Sequence, residues 1–227
     1  MTQPQIRDRY WERRGYINGT CMFHETAGIC YLNIPKNAST FLKQIFVDNE
    51  WRMSHNSITN RKRKETANTI IVLRDPIDRW ITGIAQHITT NLFGKDFGST
   101  HFREQANNLV NKIFIDQVAF DDHTEQQTWF IEEFTQFLVG PVYFYCDEHL
   151  NKNLDHWLAT KGLDYDLQGH KYVNVSANNY DNKNLVDYFK NLVYNNTMYQ
   201  IHLAEYYQRD YDLISSVQFY REGEVAK

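Results

Sequence analysis

Cysteine is scarce in this chain: Cys21, Cys30 and Cys146 are the three among 227 residues. An odd number at unrelated spacings argues against a disulfide framework and for a reducing compartment. A metal constellation is missing too. Cys21-x-x-His24 with Cys30 has no fourth ligand close by, and Cys30 falls inside a predicted strand. No apolar run reaches the roughly 20 residues that span a bilayer. The stretch Met1 to Asp8 has no apolar signal core. A cytoplasmic protein with no membrane partner is therefore expected. Positive charge is not in excess, since 24 Lys and Arg against 28 Asp and Glu leave a net charge of −4. That balance argues against general nucleic-acid binding, although a local basic face remains compatible with it. The G-x-x-x-x-G-K-[ST] run of nucleotide triphosphatases is also lacking. With no internal repeat, low-complexity tract or linker, residues 1–227 are expected to form a single domain. A content of 42% hydrophobic and 15% aromatic residues is enough for a sizeable core.

What the chain does have is a pair of strand–turn–helix units. In the first, Tyr31-Leu32-Asn33-Ile34-Pro35-Lys36-Asn37-Ala38-Ser39-Thr40-Phe41-Leu42, the apolar run from Ile29 to Ile34 reads as a buried strand. Pro35 ends it, because proline has no N–H for a ladder. Phe41, Leu42, Ile45 and Phe46 then fall at helical spacing, with Ser39 or Thr40 as caps. A loop entering a helix N-terminus offers backbone N–H groups and the positive end of the dipole, which suits an anion. Lys36, Asn37, Ser39 and Thr40 add a cation, an amide and two hydroxyls. The bland alternative is ordinary turn chemistry, found in any α/β protein.

The second unit is Thr69-Ile70-Ile71-Val72-Leu73, a continuous buried strand, followed by Arg74-Asp75-Pro76 and a helix. Ile77, Trp80, Ile81, Ile84, Ala85 and Ile88 form one apolar stripe, and Thr82 lies off it. Both turns then sit at the carboxyl ends of their strands, the edge where open α/β sheets bind ligands. Between the units, Arg61 to Lys64 form a basic run that reads as a solvated loop, a nucleic-acid patch or an attractor for an anionic substrate.

The remaining elements follow from periodicity. Cys21 to His24 and Gly28 to Ile34 pair as a hairpin, and Glu50 to Ser54 is a short strand. His101 to Val118 has a mixed helical pattern, and Asp121 to Glu125 turns into a further helix. Val142 to Tyr145 is a strand, and Asp147 is the expected N-cap of a helix carrying Leu150, Leu154, Trp157 and Leu158. Gly162 stops that helix, and His170 to Ser176 is extended. Asp181 or Asn182 caps a helix with Leu185, Phe189, Leu192 and Val193, and helical patterning continues to Ile214.

Taken together the two turns resemble the nucleotide segments of the sulfotransferases. Ile34 to Thr40 is similar to the family's 5′-phosphosulfate loop, Pro-Lys-x-Gly-Thr-Thr. Val72 to Thr82 is similar to its 3′-phosphate segment, a strand ending in Arg-Asp-Pro-x-x-Arg-x-x-Ser. Asp122-His123-Thr124-Glu125-Gln126-Gln127 is similar to a His-x-x-Pro-Gln segment of the carbohydrate-type members, and Phe137 to Leu150 to their strand-then-Glu-x-Leu stretch. The likeness covers residues 29–215 loosely and is specific at the two nucleotide segments. The short chain without an anchor looks more like bacterial or viral members than Golgi enzymes.

The resemblance implies a P-loop-NTPase-like sulfotransferase fold, with a central mostly parallel sheet flanked by helices and a helical C-terminal part. It implies 3′-phosphoadenosine 5′-phosphosulfate (PAPS) as donor, adenosine 3′,5′-bisphosphate as product and no metal. The acceptor would be a hydroxyl of a carbohydrate or other small molecule. Lys36 would stabilise the bridging oxygen as the bond to sulfur breaks. Asn37, Ala38, Ser39 and Thr40 would cradle the 5′ end, Arg74 and Thr82 would hold the 3′-phosphate, and Lys171, Asn174 and Ser176 would return over the nucleotide. The general base would be His55 or His123, with Glu125 near the latter; each histidine reads equally well as a surface residue. His24, His87, His101 and Arg79 read as structural, Arg79 with Asp75 or Asp78 as partner.

The chain departs from the family pattern at three positions. Ala38 replaces a glycine, so its backbone must keep φ negative or accept strain. Thr82 replaces serine and keeps the hydroxyl, and Gln126 stands in place of proline. Two other functions compete with transfer: a non-catalytic nucleotide- or glycan-binding module, and a P-loop-like phosphotransferase. The latter would need a Gly-Lys-[Ser/Thr] signature and an acidic Mg²⁺ site, neither of which is found.

Overall fold

The computed structural model describes residues 21–54, 68–89, 107–112, 118–134, 139–169 and 180–223. Within them five strands form one mixed sheet: β1 (Cys21–His24), β2 (Ile29–Leu32), β3 (Arg52–Ser54), β4 (Asn68–Leu73) and β5 (Pro141–Tyr145). Their order across the sheet is β3-β1-β2-β4-β5. The β1–β2 hairpin pairs Cys21 with Leu32 and His24 with Ile29. Gly28 closes its turn at φ 62°, a region that suits a residue without a Cβ. β2, β4 and β5 run parallel, whereas β1 pairs antiparallel with both β2 and β3. The expected mostly parallel sheet is therefore mixed, because the chain enters it through a hairpin.

β4 has parallel neighbours on both sides, and its residues from Thr69 to Leu73 are all buried. That explains its unbroken apolar run, which a half-exposed strand would not show. β5 is the outer strand. Its open side is covered by the C-terminal segment, where Tyr220 donates its N–H to the Tyr143 oxygen at 2.8 Å and Phe219 bridges to Tyr143. Covering an edge in this way removes a template for unwanted pairing.

The helices are α1 (Ser39–Asp48), α2 (Pro76–His87), α3 (Gln127–Phe134), α4 (Leu150–Ala159), α5 (Tyr180–Tyr194), α6 (Thr197–Tyr206) and α7 (Gln208–Ser216). No helix among the described residues is long and apolar enough to cross a membrane. The chain divides into two compact units. One comprises residues 18–75, 127–174 and 212–227, and the other residues 1–17, 76–126 and 175–211.

In the first unit, α1 and α4 pack on the sheet. Phe41, Leu42, Ile45 and Phe46 join Tyr31, Ile70, Val72 and Phe144, with Leu150, Leu154, Trp157 and Leu158 from α4. Phe46 stacks on Trp51 with ring centroids 4.2 Å apart. The start of α4 differs from expectation. It begins at Leu150, and Asp147 instead accepts the His149 N–H at 2.9 Å in the preceding turn. Gly162 ends it as foreseen, at φ 76°.

In the second unit, the stripe Ile77, Trp80, Ile81, Ile84, Ala85 and Ile88 is wholly buried against Leu185, Phe189, Val193, Leu203 and Tyr207. Pro76 opens α2, where its missing N–H loses nothing. α5 begins at Tyr180, so Asp181 and Asn182 lie inside the helix rather than at its cap. The continuous pattern beyond Val193 is broken at Asn196, whose side chain accepts the Met198 N–H at 3.0 Å and caps α6.

Gly83 of α2 is a close-approach position. A Cβ there would lie 2.3 Å from the His123 carbonyl oxygen, a backbone atom that cannot swing away. Gly83→Ala is expected to destabilise by about 1–3 kcal/mol despite alanine's better helix propensity. A fall in the urea midpoint at unchanged slope would register it; an unchanged or raised midpoint would mean the 121–124 segment yields.

Candidate functional site

Leu32 and Leu73 end adjacent parallel strands, and the two turns of interest leave from the same sheet edge. The Lys36 loop has an unusual backbone. Lys36 lies at φ 69° and Ala38 at φ 57°, both left-handed, with one residue between them. Each such conformation costs a non-glycine residue about 1–2 kcal/mol. Ala38 thus accepts strain where a glycine would have none. Strain of this kind persists only where neighbouring contacts over-determine it.

Those contacts are present. Asn37, between the two strained residues, is fully buried. Its Nδ2 donates to the Val72 oxygen at 2.7 Å and to Gln127 Oε1 at 2.6 Å. Gln127 Oε1 also accepts the Arg74 N–H at 2.9 Å, while its Nε2 donates to the Arg74 oxygen at 2.8 Å. Arg74 Nη1 then donates to the Lys36 oxygen at 3.2 Å. One buried amide pair therefore stitches the loop after β2 to the turn after β4. The two turns separated by 38 residues in sequence meet through side chains of Asn37, Arg74 and Gln127.

Ala38 occupies the N-cap position of α1 with no side chain capping it, and the first turn of α1 carries no acidic residue. An alanine cap leaves that helix end to be satisfied by something other than its own side chain. Ser39 is buried and Thr40 is exposed. Asn37 is a pin rather than a surface ligand: its Nδ2 is bound inside, and its buried Oδ1 has no hydrogen-bond partner among the described residues. The arrangement offers a cationic side chain and a dipole end on one strained loop and an arginine on the turn bonded to it, which is the chemistry of an anion cradle.

Thr82 and His123 belong to the second unit. The Thr82 hydroxyl bonds back to its own helix, at 3.2 Å from the Asp78 oxygen and 2.9 Å from the Arg79 oxygen. Its proton is thereby engaged by the helix backbone. His55, Lys171, Asn174 and Ser176 lie outside the described residues, as do His101 and the basic run from Arg61 to Lys64.

Within the second unit, Arg79 is fully buried and donates to the backbone oxygens of Glu125 and Asp122. Burial pulls its guanidinium down from the ordinary value, and Tyr207, Asp210, Glu125 and Asp122 oppose that pull. Its structural role was expected; its anchorage on the 122–125 segment was not. Glu125 is buried and accepts the Tyr206 hydroxyl at 2.9 Å, which makes it part of this network rather than an exposed base. Burial also pushes the Tyr207 phenol well above its usual value.

Asp121, Asp122 and His123 each place one potential metal-ligand atom within 4.8 Å of the others. Asp121 is already occupied, however. Its Oδ1 accepts the His123 N–H at 2.9 Å, and its Oδ2 lies 2.7 Å from His87 Nδ1. The cluster is thus a hydrogen-bonded turn. Burial alone would raise the Asp121 carboxyl, but bonds from His123 and His87 outweigh it and hold the group well below the usual carboxylate range. Because the folded value is depressed, this group stabilises the fold above its unfolded value of about 3.9 and loses that contribution as pH falls further. Asp121→Asn is expected to flatten the stability–pH curve below about pH 4. An unchanged acid limb in urea titrations would sink that assignment.

Gln127, which joins the two turns, is not among the site residues expected from the sequence. It is the final glutamine of the His-x-x-Pro-Gln-like segment, in which His123 is the expected site residue. Compared with protein-family models, curated proteins and solved structures, the chain matches none.

Proposed function

We propose that this protein is a sulfotransferase that moves a sulfuryl group from PAPS to a hydroxyl of a carbohydrate or other small acceptor. The observation that carries the reading is the junction of the Lys36 loop with the Arg74 turn through Asn37 and Gln127. A donor with a phosphosulfate at one end and a phosphate at the other needs cationic groups from two segments held in fixed relation, and this junction supplies them.

In the proposed reaction the bond from sulfur to the 5′-phosphate oxygen breaks as the bond to the acceptor oxygen forms. The electron pair stays on the departing phosphate oxygen, where Lys36 and the N–H groups at the start of α1 stabilise it. Arg74 suits the 3′-phosphate, being permanently charged and able to bind two oxygens at once. The acceptor proton leaves to a base. Of His55→Asn and His123→Asn, the variant that removes the base loses the acidic limb of the pH–rate profile.

Thermal shift with adenosine 3′,5′-bisphosphate against ATP–Mg²⁺ tests the donor class. At about 100 times Kd a bound nucleotide stabilises by about 2.7 kcal/mol. Stabilisation by ATP alone would refute the proposal. Binding of the bisphosphate with no labelled sulfate transferred to any hydroxyl acceptor would leave a binding module in its place.

A further inference from the structure

At the same sheet edge, one strand beyond Arg74, the carboxyl end of β5 opens into a cleft of about 560 Å³. That is within the usual range of about 300–1,000 Å³ for small-molecule sites. The sheet sets its location. Leu73 pairs with Tyr145, and Cys146 donates its N–H to the Leu73 oxygen at 2.8 Å. The cleft wall therefore begins one residue from the strand end that carries Arg74. β2 lies two strand spacings from β5, about 10 Å.

The lining has two characters. Tyr145, Phe219 and Tyr220 are half-buried aromatic residues on it. Tyr145 and Phe219 meet edge to face at 76°, with centroids 5.3 Å apart, so their orientation is fixed. Tyr220 is held against Phe144 and by its hydroxyl to His156 Nδ1 at 2.6 Å. The charged lining is balanced towards the acidic. Lys152 and Glu222 neutralise each other at 2.8 Å, and the remaining charged groups at the exposed lip are the carboxylates of Asp147 and Glu148 and the guanidinium of Arg221. Ionised carboxylates only accept hydrogen bonds. A ligand for such a lip must donate, and a ligand for rigid aromatic rings must present an apolar face.

We infer that this cleft binds a neutral saccharide, its C–H face on the aromatic residues and its hydroxyls donating to Asp147 and Glu148. Asp147, Glu148 and Glu222 against Lys152 and Arg221 leave the lining net acidic, which disfavours uronate-bearing or already sulfated sugars. Saccharide binding stands on the cleft alone; its service as the acceptor subsite rests on the transfer reading above.

Saturation-transfer NMR on the full chain tests it, with lactose, cellobiose and N,N′-diacetylchitobiose as neutral probes and a chondroitin disaccharide as the anionic one. At least one neutral probe is expected to bind, at least tenfold more weakly to Phe219→Ala, while the anionic probe gives no signal. Glu148→Lys, at an exposed position, is expected to admit the anionic probe. Failure of all neutral probes overturns the inference, as does unchanged binding by Phe219→Ala or equal binding of the anionic probe. Adenosine 3′,5′-bisphosphate binding, measured on the same samples, separates the two proposals. Nucleotide bound without sugar refutes the cleft, and sugar bound without nucleotide refutes the transfer reading.

Discussion

Lys36→Ala is expected to lower sulfuryl transfer by at least about 10²–10³, the loss typical of removing one group that stabilises developing charge on a leaving oxygen. The substitution is a clean one on structural grounds. Lys36 sits at φ 69°, a conformation no more natural for lysine than for alanine, so the exchange leaves the backbone strain where it was. The clamp on the loop acts through the Lys36 carbonyl, which accepts from Arg74, and through Asn37; neither depends on the ammonium. Stability should therefore move by less than about 0.5 kcal/mol. The informative contrast is Arg74→Ala, which should raise the donor KM more than it lowers kcat. Single-turnover transfer of labelled sulfate, with bisphosphate affinity measured alongside, separates chemistry from binding. Normal turnover in the Lys36 variant would remove that residue from the mechanism, and equal losses in both parameters for Arg74 would reassign it.

The fold was legible in the sequence wherever one local rule dominated. The unbroken run of β4 reports a strand with neighbours on both sides, and the stripe from Ile77 to Ile88 reports a helix buried on one face. Helix starts were less legible. Asp147, Asp181 and Asn182 are all good capping residues, yet at Asp147 the same chemistry serves a turn, and the other two are overtaken by a helix that begins earlier. A short polar side chain satisfies either demand, so its type alone does not choose. The site was half legible. Each turn could be read from its own residues, as a strand end followed by a helix start carrying a cation. Their junction could not, because it depends on a buried glutamine 53 positions from Arg74. The left-handed backbone at Lys36 and Ala38 was equally hidden, since nothing local favours it. It exists because long-range hydrogen bonds hold the residue between them.

The last point makes Gln127 the decisive residue for the geometry. Gln127→Leu keeps roughly the same volume but removes an acceptor used twice and a donor used once. Both backbone groups of Arg74 lose this partner, and Asn37 keeps only the Val72 oxygen. Each buried polar group left unmade costs about 1–3 kcal/mol, so a loss of about 3–5 kcal/mol is expected after partial relaxation. Gln126→Ala provides the control. That side chain donates to the Tyr206 oxygen within the other unit, and its loss should cost only about 1 kcal/mol. Released from Gln127, Asn37 no longer fixes the peptide between two left-handed residues, and the loop can relax to conformations with negative φ. Bisphosphate binding should then fall by more than the global destabilisation explains, when measured at a temperature where the variant remains folded. A Gln127→Leu protein that is less stable but binds the bisphosphate as before would show that the strained loop is held by its own turn. The amide would then serve the sheet edge, and the anion cradle would owe it nothing.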